Sequence, residues 1–372
     1  MKRFFYRFSA ALFAIAIGLP AFAQTGTSHF LRQRSSLIEG NFQLWHFKDA
    51  NTFTQFSFPV TFIYPVHEGF SLDLTTSPAL NAYAGTHLNG LSDTRIRGSY
   101  IFLDNHALVT FGLKTPTGKN ALTLDEMGLS TILALNALNF RTPILGTGLD
   151  INAGIVYGKE MGPVVLGMGA SFLLRGAYKP FADYGLTYNP GDEMNVTFGV
   201  DYGDENKWTG DFTFTYYSPD KVDGKQAFRS GGRLLVDLRH YRTVTLLGRT
   251  SQLVFYLLNR TKGKNAYALG GGLQSESLNS NGNQLEMGTV GFSRLNQKMD
   301  FQTRIAFLLY SNNAYKTGGA KIFRFGVGFP YHPAPNLTLN NLVTFSLGNL
   351  TVAQKSISVT GLAIQAGLAY KF

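Results

Sequence analysis

The chain has 372 residues, among them 41 Gly, 31 Phe and 18 Tyr but no Cys, with 15% charged side chains and a formal net charge of +10. At 44% hydrophobic residues it is too apolar for a disordered protein. The lack of cysteine excludes disulfide frameworks, thiolate metal sites and cysteine nucleophiles together. A mean hydropathy near zero with so much aromatic residue and glycine fits a β-rich chain better than a helical cytosolic enzyme.

In chain order, the first element is an export signal over residues 1–23. Lys2, Arg3 and Arg7 form its basic head, residues 9–18 its apolar core, and Ala21-Phe22-Ala23 its small-x-small cleavage site. The competing reading, a membrane anchor, needs about 20 apolar residues, and Pro20 stops the core short of that. Removal takes away three basic and no acidic side chains, leaving +7 on residues 24–372. Within those residues the longest helical membrane candidate, 129–140, is interrupted by Thr131 and Asn136. The exported chain is therefore expected to be periplasmic, secreted or an outer-membrane β-barrel.

Periodicity separates these. Phe70, Leu72 and Leu74 alternate with Ser71, Asp73 and Thr75, and Ile96, Gly98, Tyr100 and Phe102 alternate with Arg95, Arg97 and Ser99. Met194, Val196, Phe198, Val200 and Tyr202 alternate with polar or small residues. After a turn at 203–206, Trp208, Gly210, Phe212, Phe214 and Tyr216 oppose Thr209, Asp211, Thr213 and Thr215. The pattern recurs over 300–310, 322–329 and 337–347. Each strand taken alone also suits a soluble sandwich. Aromatics crowded at strand ends and short turns alternating with longer stretches point instead to a transmembrane barrel. The short turns are expected near 66–69, 103–106, 158–162, 203–206, 295–298 and 331–336. Longer loops are expected at 79–92, 115–146, 178–191, 218–228, 261–282, 311–319 and 349–356. At the C-terminus Leu362, Ile364, Ala366, Leu368, Tyr370 and Phe372 form one apolar face. This ending is similar to the terminal-strand signal that delivers bacterial barrels to their assembly machinery. The fold class is thus all-β, an antiparallel barrel of the outer membrane with 12–16 strands, 14 favoured. Pairing stays open before Phe53 and over 233–285, where the Gly-rich run 268–272 reads as strand or loop.

The stretch from Leu91-Ser92-Asp93-Thr94-Arg95 to Tyr100, followed by Phe111-Gly112-Leu113-Lys114-Thr115-Pro116-Thr117-Gly118, resembles the outer-membrane channels associated with meta-pathway phenol degradation. Those channels are related to the long-chain fatty-acid transporter type. The Gly-x-Lys-x-Pro-Thr-Gly half matches at every fixed position. The first half has Leu91-Ser92-Asp93 where that family carries glycines. The resemblance covers under a tenth of the chain and implies passive passage of small hydrophobic or aromatic molecules without a cofactor. No Asn-Pro-Ala hatch element occurs. An adhesion, assembly-related or structural barrel with a closed lumen is the alternative.

Candidate residues follow from the alternation. Asp73, Arg95, Arg97, Asp201, Asp211, Arg233, Asp237, Arg239, Asp300, Arg304 and Arg324 are expected to face the lumen, because Arg or Lys facing mid-membrane lipid costs about 2–4 kcal/mol. They act there as cross-strand ion pairs or as a selectivity ladder. At the rim, Pro116 and Gly118 terminate a strand and Lys114 is expected to be solvated. Leu124, Met127, Thr131, Leu135 and Leu138 have near-helical spacing behind Asp125 and Glu126. That predicts an amphipathic helix which folds into the bore or lies over its mouth. The expected partners are outer-membrane lipid and lipopolysaccharide, the barrel-assembly machinery through Phe372, and a small hydrophobic solute. Nucleic acid is not expected. The seven histidines form no His-x-Ser or His-Glu-x-x-His pattern, no Gly-x-Ser-x-Gly elbow occurs, and Asp104-Asn105-His106 reads as a turn, so neither an enzyme nor a metal is expected.

Overall fold

The computed structural model describes residues 35–372 apart from Asp49, Glu68, Asp204, Glu205, Leu247, Gly270, Gly271 and Ala353; the expected export signal lies outside the described residues. Sixteen antiparallel strands close into a ring. They are β1 (Ser35–Phe47), β2 (Thr52–Ser57, then Val60–His67), β3 (Phe70–Thr76, then Pro78–Tyr83), β4 (Thr86–Leu91, then Thr94–Phe102) and β5 (Ala107–Thr115). There follow β6 (Asp150–Met161), β7 (Val164–Arg175), β8 (Glu193–Tyr202), β9 (Lys207–Tyr217), β10 (Arg233–Leu246) and β11 (Arg249–Lys262). The ring is completed by β12 (Gln284–Asn296), β13 (Met299–Tyr310), β14 (Ala320–Gly328), β15 (Leu337–Val352) and β16 (Lys355–Lys371). Each strand pairs with the next, and β1 returns onto β16, with Ser35 opposite Lys371 and Phe47 opposite Val359. Closure leaves the sheet no free edge, as a barrel in lipid requires.

Sixteen strands lie within the expected range and two above the favoured fourteen. Three neighbouring strands bend, at Pro59, at Ser77 and at Ser92-Asp93. Backbone bonds carry the ladder across the bends: the Glu39 N–H donates to the Pro59 carbonyl (2.9 Å), Phe58 to Pro78 (2.9 Å) and Ser92 to Ser77 (2.8 Å). The stretch 79–92, expected as a long loop, is a hairpin turning tightly at Ala84-Gly85, both with positive φ (52° and 82°). The expected loop at 349–356 is likewise the end of the β15–β16 hairpin. The other long loops stand at one rim. The opposite rim carries the short turns, together with Ser35 and Phe372.

The outer surface is apolar. Phe62, Leu72, Ile96, Phe111, Met168, Phe198, Phe212, Phe307, Phe325 and Ile364 are all exposed on it. Only a lipid phase satisfies so continuous an apolar band. Aromatics gather at the turn rim, where the Trp208 and His240 rings stack at 4.2 Å and Phe372 lies against Tyr370 and Phe62. The architecture is that of an outer-membrane barrel.

At the loop rim a second sheet of five short strands ties three loops together. Tyr188–Asn189, Asp220–Val222, Lys225–Arg229, Ala266–Leu269 and Gly272–Ser275 pair in that order. Ala268, Leu269 and Gly272 of the Gly-rich run therefore belong to a loop hairpin rather than to the barrel wall. Glu276, just beyond it, accepts from the N–H groups of Asn265 (2.8 Å) and Ser280 (3.0 Å). Desolvation pushes its carboxyl up, but the bonds from Ser280 and Asn265, with Lys264 nearby, prevail and hold it below the usual carboxylate range. A depressed folded value stabilises above the ordinary range, and the contribution is lost as pH falls through it. Limited proteolysis of the 263–283 loop should therefore accelerate for the wild type only in acid, and for Glu276→Gln already at neutral pH.

Candidate functional site: the bore and its inserted loop

Inside the ring, the loop between β5 and β6 folds into the bore. Its helix α1 (Leu124–Leu133) begins with a capping box: the Thr123 N–H donates to Glu126 Oε2 (3.0 Å) and the Glu126 N–H to Thr123 Oγ1 (3.4 Å). Lys119 pairs with the same carboxylate. Desolvation pushes Glu126 up, but the Lys119 bond and the Thr123 cap lower it below the ordinary range. The expected phase of the helix is corrected: Leu129 and Leu133 form its buried face, whereas Leu124 is 74% exposed and Thr131 is also exposed. Leu135 lies past the last turn and is exposed, while Leu138 is fully buried.

Leu129, Leu133, Ala137, Leu138 and Phe140 pack against inward-facing apolar side chains near the loop rim: Trp45, Phe53, Leu88, Leu308, Ile322 and Val359. Polar wall residues hold the segment after the helix. Gln55 Nε2 donates to the Thr142 carbonyl (2.9 Å) and Gln55 Oε1 accepts from the Thr142 N–H (3.1 Å). Gln43 does the same with Asn139 and Arg141 (3.0 and 2.7 Å), Arg141 pairs with Glu39, and Arg324 Nη2 donates to the Ala137 carbonyl (2.5 Å). These bonds run to β1, β2 and β14. The loop is thus anchored to one side of the bore.

The motif that carried the family resemblance is the latch of this loop. Asp93 accepts from the Gly118 N–H at Oδ1 (3.0 Å) and from the Thr147 N–H at Oδ2 (2.8 Å), which joins both ends of the insertion. Thr117 Oγ1 accepts from the Thr94 N–H (2.8 Å). Lys114 is not the solvated lysine expected: it pairs with Asp150, donates to Thr147 Oγ1 (2.6 Å) and lies 3.9 Å from Asp93. Pro116 ends the ladder and Gly118 permits the close approach. A Cβ on Gly118 would sit 2.1 Å from the Leu145 carbonyl oxygen. Gly118→Ala is therefore expected to cost about 1–3 kcal/mol of overpacking, seen as faster protease nicking of the insertion with the barrel intact.

All eleven lumen candidates stand on inward-facing register positions, and most are paired. Arg97 Nε donates to Asp73 (2.8 Å), with Arg95 on the same face. Asp201 pairs with Lys207 (2.5 Å), Asp237 with Arg239 (2.6 Å) and Arg304 with Glu286 (3.4 Å), and Asp300 Oδ2 lies 2.9 Å from His332 Nε2. Asp211 lies directly across from Asp237. Arg324 instead binds the inserted loop, and Arg233 stands at the loop-side mouth, with Nη2 on Thr215 Oγ1 (3.1 Å) and its guanidinium 5.9 Å from the Tyr217 ring.

Sequence reasoning missed Glu39, Gln43, Gln55 and Arg141, which hold the loop, and Arg260, Lys262, Glu286 and Tyr256 of the wall. Arg260 and Lys262, spaced by two, share a strand face, but residues 233–285 had no pairing to orient them. For Arg141 there was no local signal. Among the described residues no group of three or more His, Asp or Glu could hold a metal.

No protein-family model matches the chain, and no curated protein does. Solved structures share its shape. CdiB from Acinetobacter baumannii aligns with TM-score 0.52 at 10% identity over 89% of this chain, which spans 60% of that protein's length. OprB of Pseudomonas putida aligns at 0.49 with 11% identity (93% of this chain, 96% of that one), and the CymD monoaromatic hydrocarbon channel at 0.45 with 10% identity (91% and 89%). At such identities the likeness is one of fold.

Proposed function

We propose that the protein is a passive outer-membrane channel for small solutes, with small aromatic or hydrophobic compounds as the class. The observation that carries the reading is the asymmetry of the bore. The insertion is hydrogen-bonded to β1, β2 and β14, while across the bore the inner wall of β8 to β10 carries its own ion pairs, Lys207 with Asp201 and Arg239 with Asp237, which suits a polar permeation path on that side. The aromatic class is supported by the latch motif and its family resemblance. Export with loss of residues 1–23, contact with lipopolysaccharide, and delivery to the assembly machinery through Phe372 complete the proposal. Deleting Phe372 should lower the folded fraction in the envelope, read from heat-modifiable gel mobility.

A closed barrel is the second reading, favoured by the full burial of Leu133, Leu138, Phe53 and Leu308 around the insertion. Planar bilayers and liposomes separate the two. Discrete conductance steps and uptake of a small aromatic support the channel; folded protein that gives neither supports the closed barrel.

A further inference from the structure

At the loop-side mouth lies a cavity of about 330 Å³ lined by the ends of β9 to β12, by Asn136 of the insertion and by loop residues including Asn313. That volume is at the lower end of small-molecule sites. Its chemistry is one-sided: among the described residues Arg233, Arg260 and Lys262 all line it and no carboxylate does. Arg233 and Lys262 are directly paired across β10 and β11, an arrangement that repels. The next inward pair along this ladder contributes Arg260, opposite Leu235.

Nor are these cations neutralised by their neighbours. Arg233 donates to the Thr215 hydroxyl and Arg260 to the Gln284 amide (3.2 Å), both neutral acceptors. The Nε atoms of both arginines are buried without an acceptor among the described residues. Of the nearby carboxylates, Glu193 pairs with Arg175 and Glu286 with Arg304 and Tyr256, while Asp220 and Glu276, which act on Lys262 through space without lining the cavity, accept from Tyr188 and Gly191 and from Asn265 and Ser280. Clustered guanidinium N–H groups withdrawn from water cost free energy unless an acceptor meets them, and an oxyanion supplies both the missing acceptors and the missing charge. The Tyr217 ring lines the same cavity, so an aromatic face has a wall to rest on.

We propose that this cavity is an oxyanion site which captures the carboxylate of a small, preferably aromatic, organic acid at the entrance to the bore. The proposal rests on the channel reading for its transport consequence, since it narrows the solute class of that same path. Guanidinium forks recognise a carboxylate in two-point fashion, and a cationic mouth raises the local concentration of anions.

The test uses the full chain folded in detergent, titrated calorimetrically with benzoate and, separately, with inorganic phosphate, alongside bilayer recordings of the same preparation. Benzoate should bind the wild type, and Arg260→Gln/Lys262→Gln should weaken it about tenfold or more. Arg260→Lys, which keeps the charge but not the fork, should fall between them. Gel mobility checks folding, and Lys262→Gln alone serves if the double variant misfolds. In bilayers the double variant should shift the reversal potential towards cation preference. Wild-type protein that does not bind benzoate, binds phosphate alone, or binds benzoate as well after substitution overturns the proposal. Benzoate binding by folded protein that never conducts upholds the site and overturns the channel.

Discussion

Replacing Asp93 with alanine should free the inserted loop and raise the unit conductance of the barrel. The carboxylate is almost wholly buried and accepts from both ends of the insertion, at Gly118 and at Thr147. Its loss strands two backbone N–H groups and leaves Lys114 with a single carboxylate partner. Breaking such a buried charged network costs about 3–5 kcal/mol. The ring does not depend on it, since β4 and β5 stay paired from Thr94–Thr115 down to Phe102–Ala107. The measurement is single-channel conductance together with protease sensitivity over 116–149. Unchanged conductance with a cleaved loop would show that the insertion does not limit flow. Asp93→Asn, which keeps the acceptor oxygen but not the charge, should give a smaller increase.

A charge placed on the outer face should be more damaging than one placed inside. Phe307 stands mid-strand on β13, faces outward and packs its ring 5.0 Å from that of Phe323. Phe307→Arg is expected to cost about 2–4 kcal/mol for the cation in lipid and about 0.5–1.5 kcal/mol for the lost ring contact. Gln365→Arg, inward-facing on β16, keeps its guanidinium out of the lipid and should cost less. Urea unfolding in lipid vesicles, followed by tryptophan fluorescence, compares the two. Equal losses would contradict the assignment of faces that every wall residue depends on.

The faces of most strands were legible because lipid and water impose opposite demands on neighbouring side chains. Where the inside is not wet, that contrast vanishes. Over 78–91 the inward positions include Ala79, Asn81 and Leu88, and outward Leu80 differs little from them, because this part of the wall packs on the insertion rather than on solvent. An alternation with nothing to alternate reads as a loop. The same cause displaced the helix face. The spacing from Leu124 to Leu138 was apolar enough, but Leu129 and Leu133 are selected by Trp45, Phe53 and Leu308, which come from strands far from the helix in sequence. Lys114 was read as solvated because its partners Asp93, Thr147 and Asp150 converge only once the loop has returned to the wall. The basic mouth was half visible: Arg233 was placed inward, and its companions waited on the pairing of β10 with β11.

The small sheet that joins three outer loops has a consequence for how the molecule meets its surroundings. Segments from 176–192, 218–232 and 263–283 share hydrogen bonds, and the Phe228 and Tyr267 rings meet at 5.2 Å. A bacteriophage or antibody arriving from outside therefore encounters a canopy of fixed relief instead of separate waving strings. Its epitopes should be conformational, spread over three parts of the chain and absent from synthetic peptides copied from any one of them.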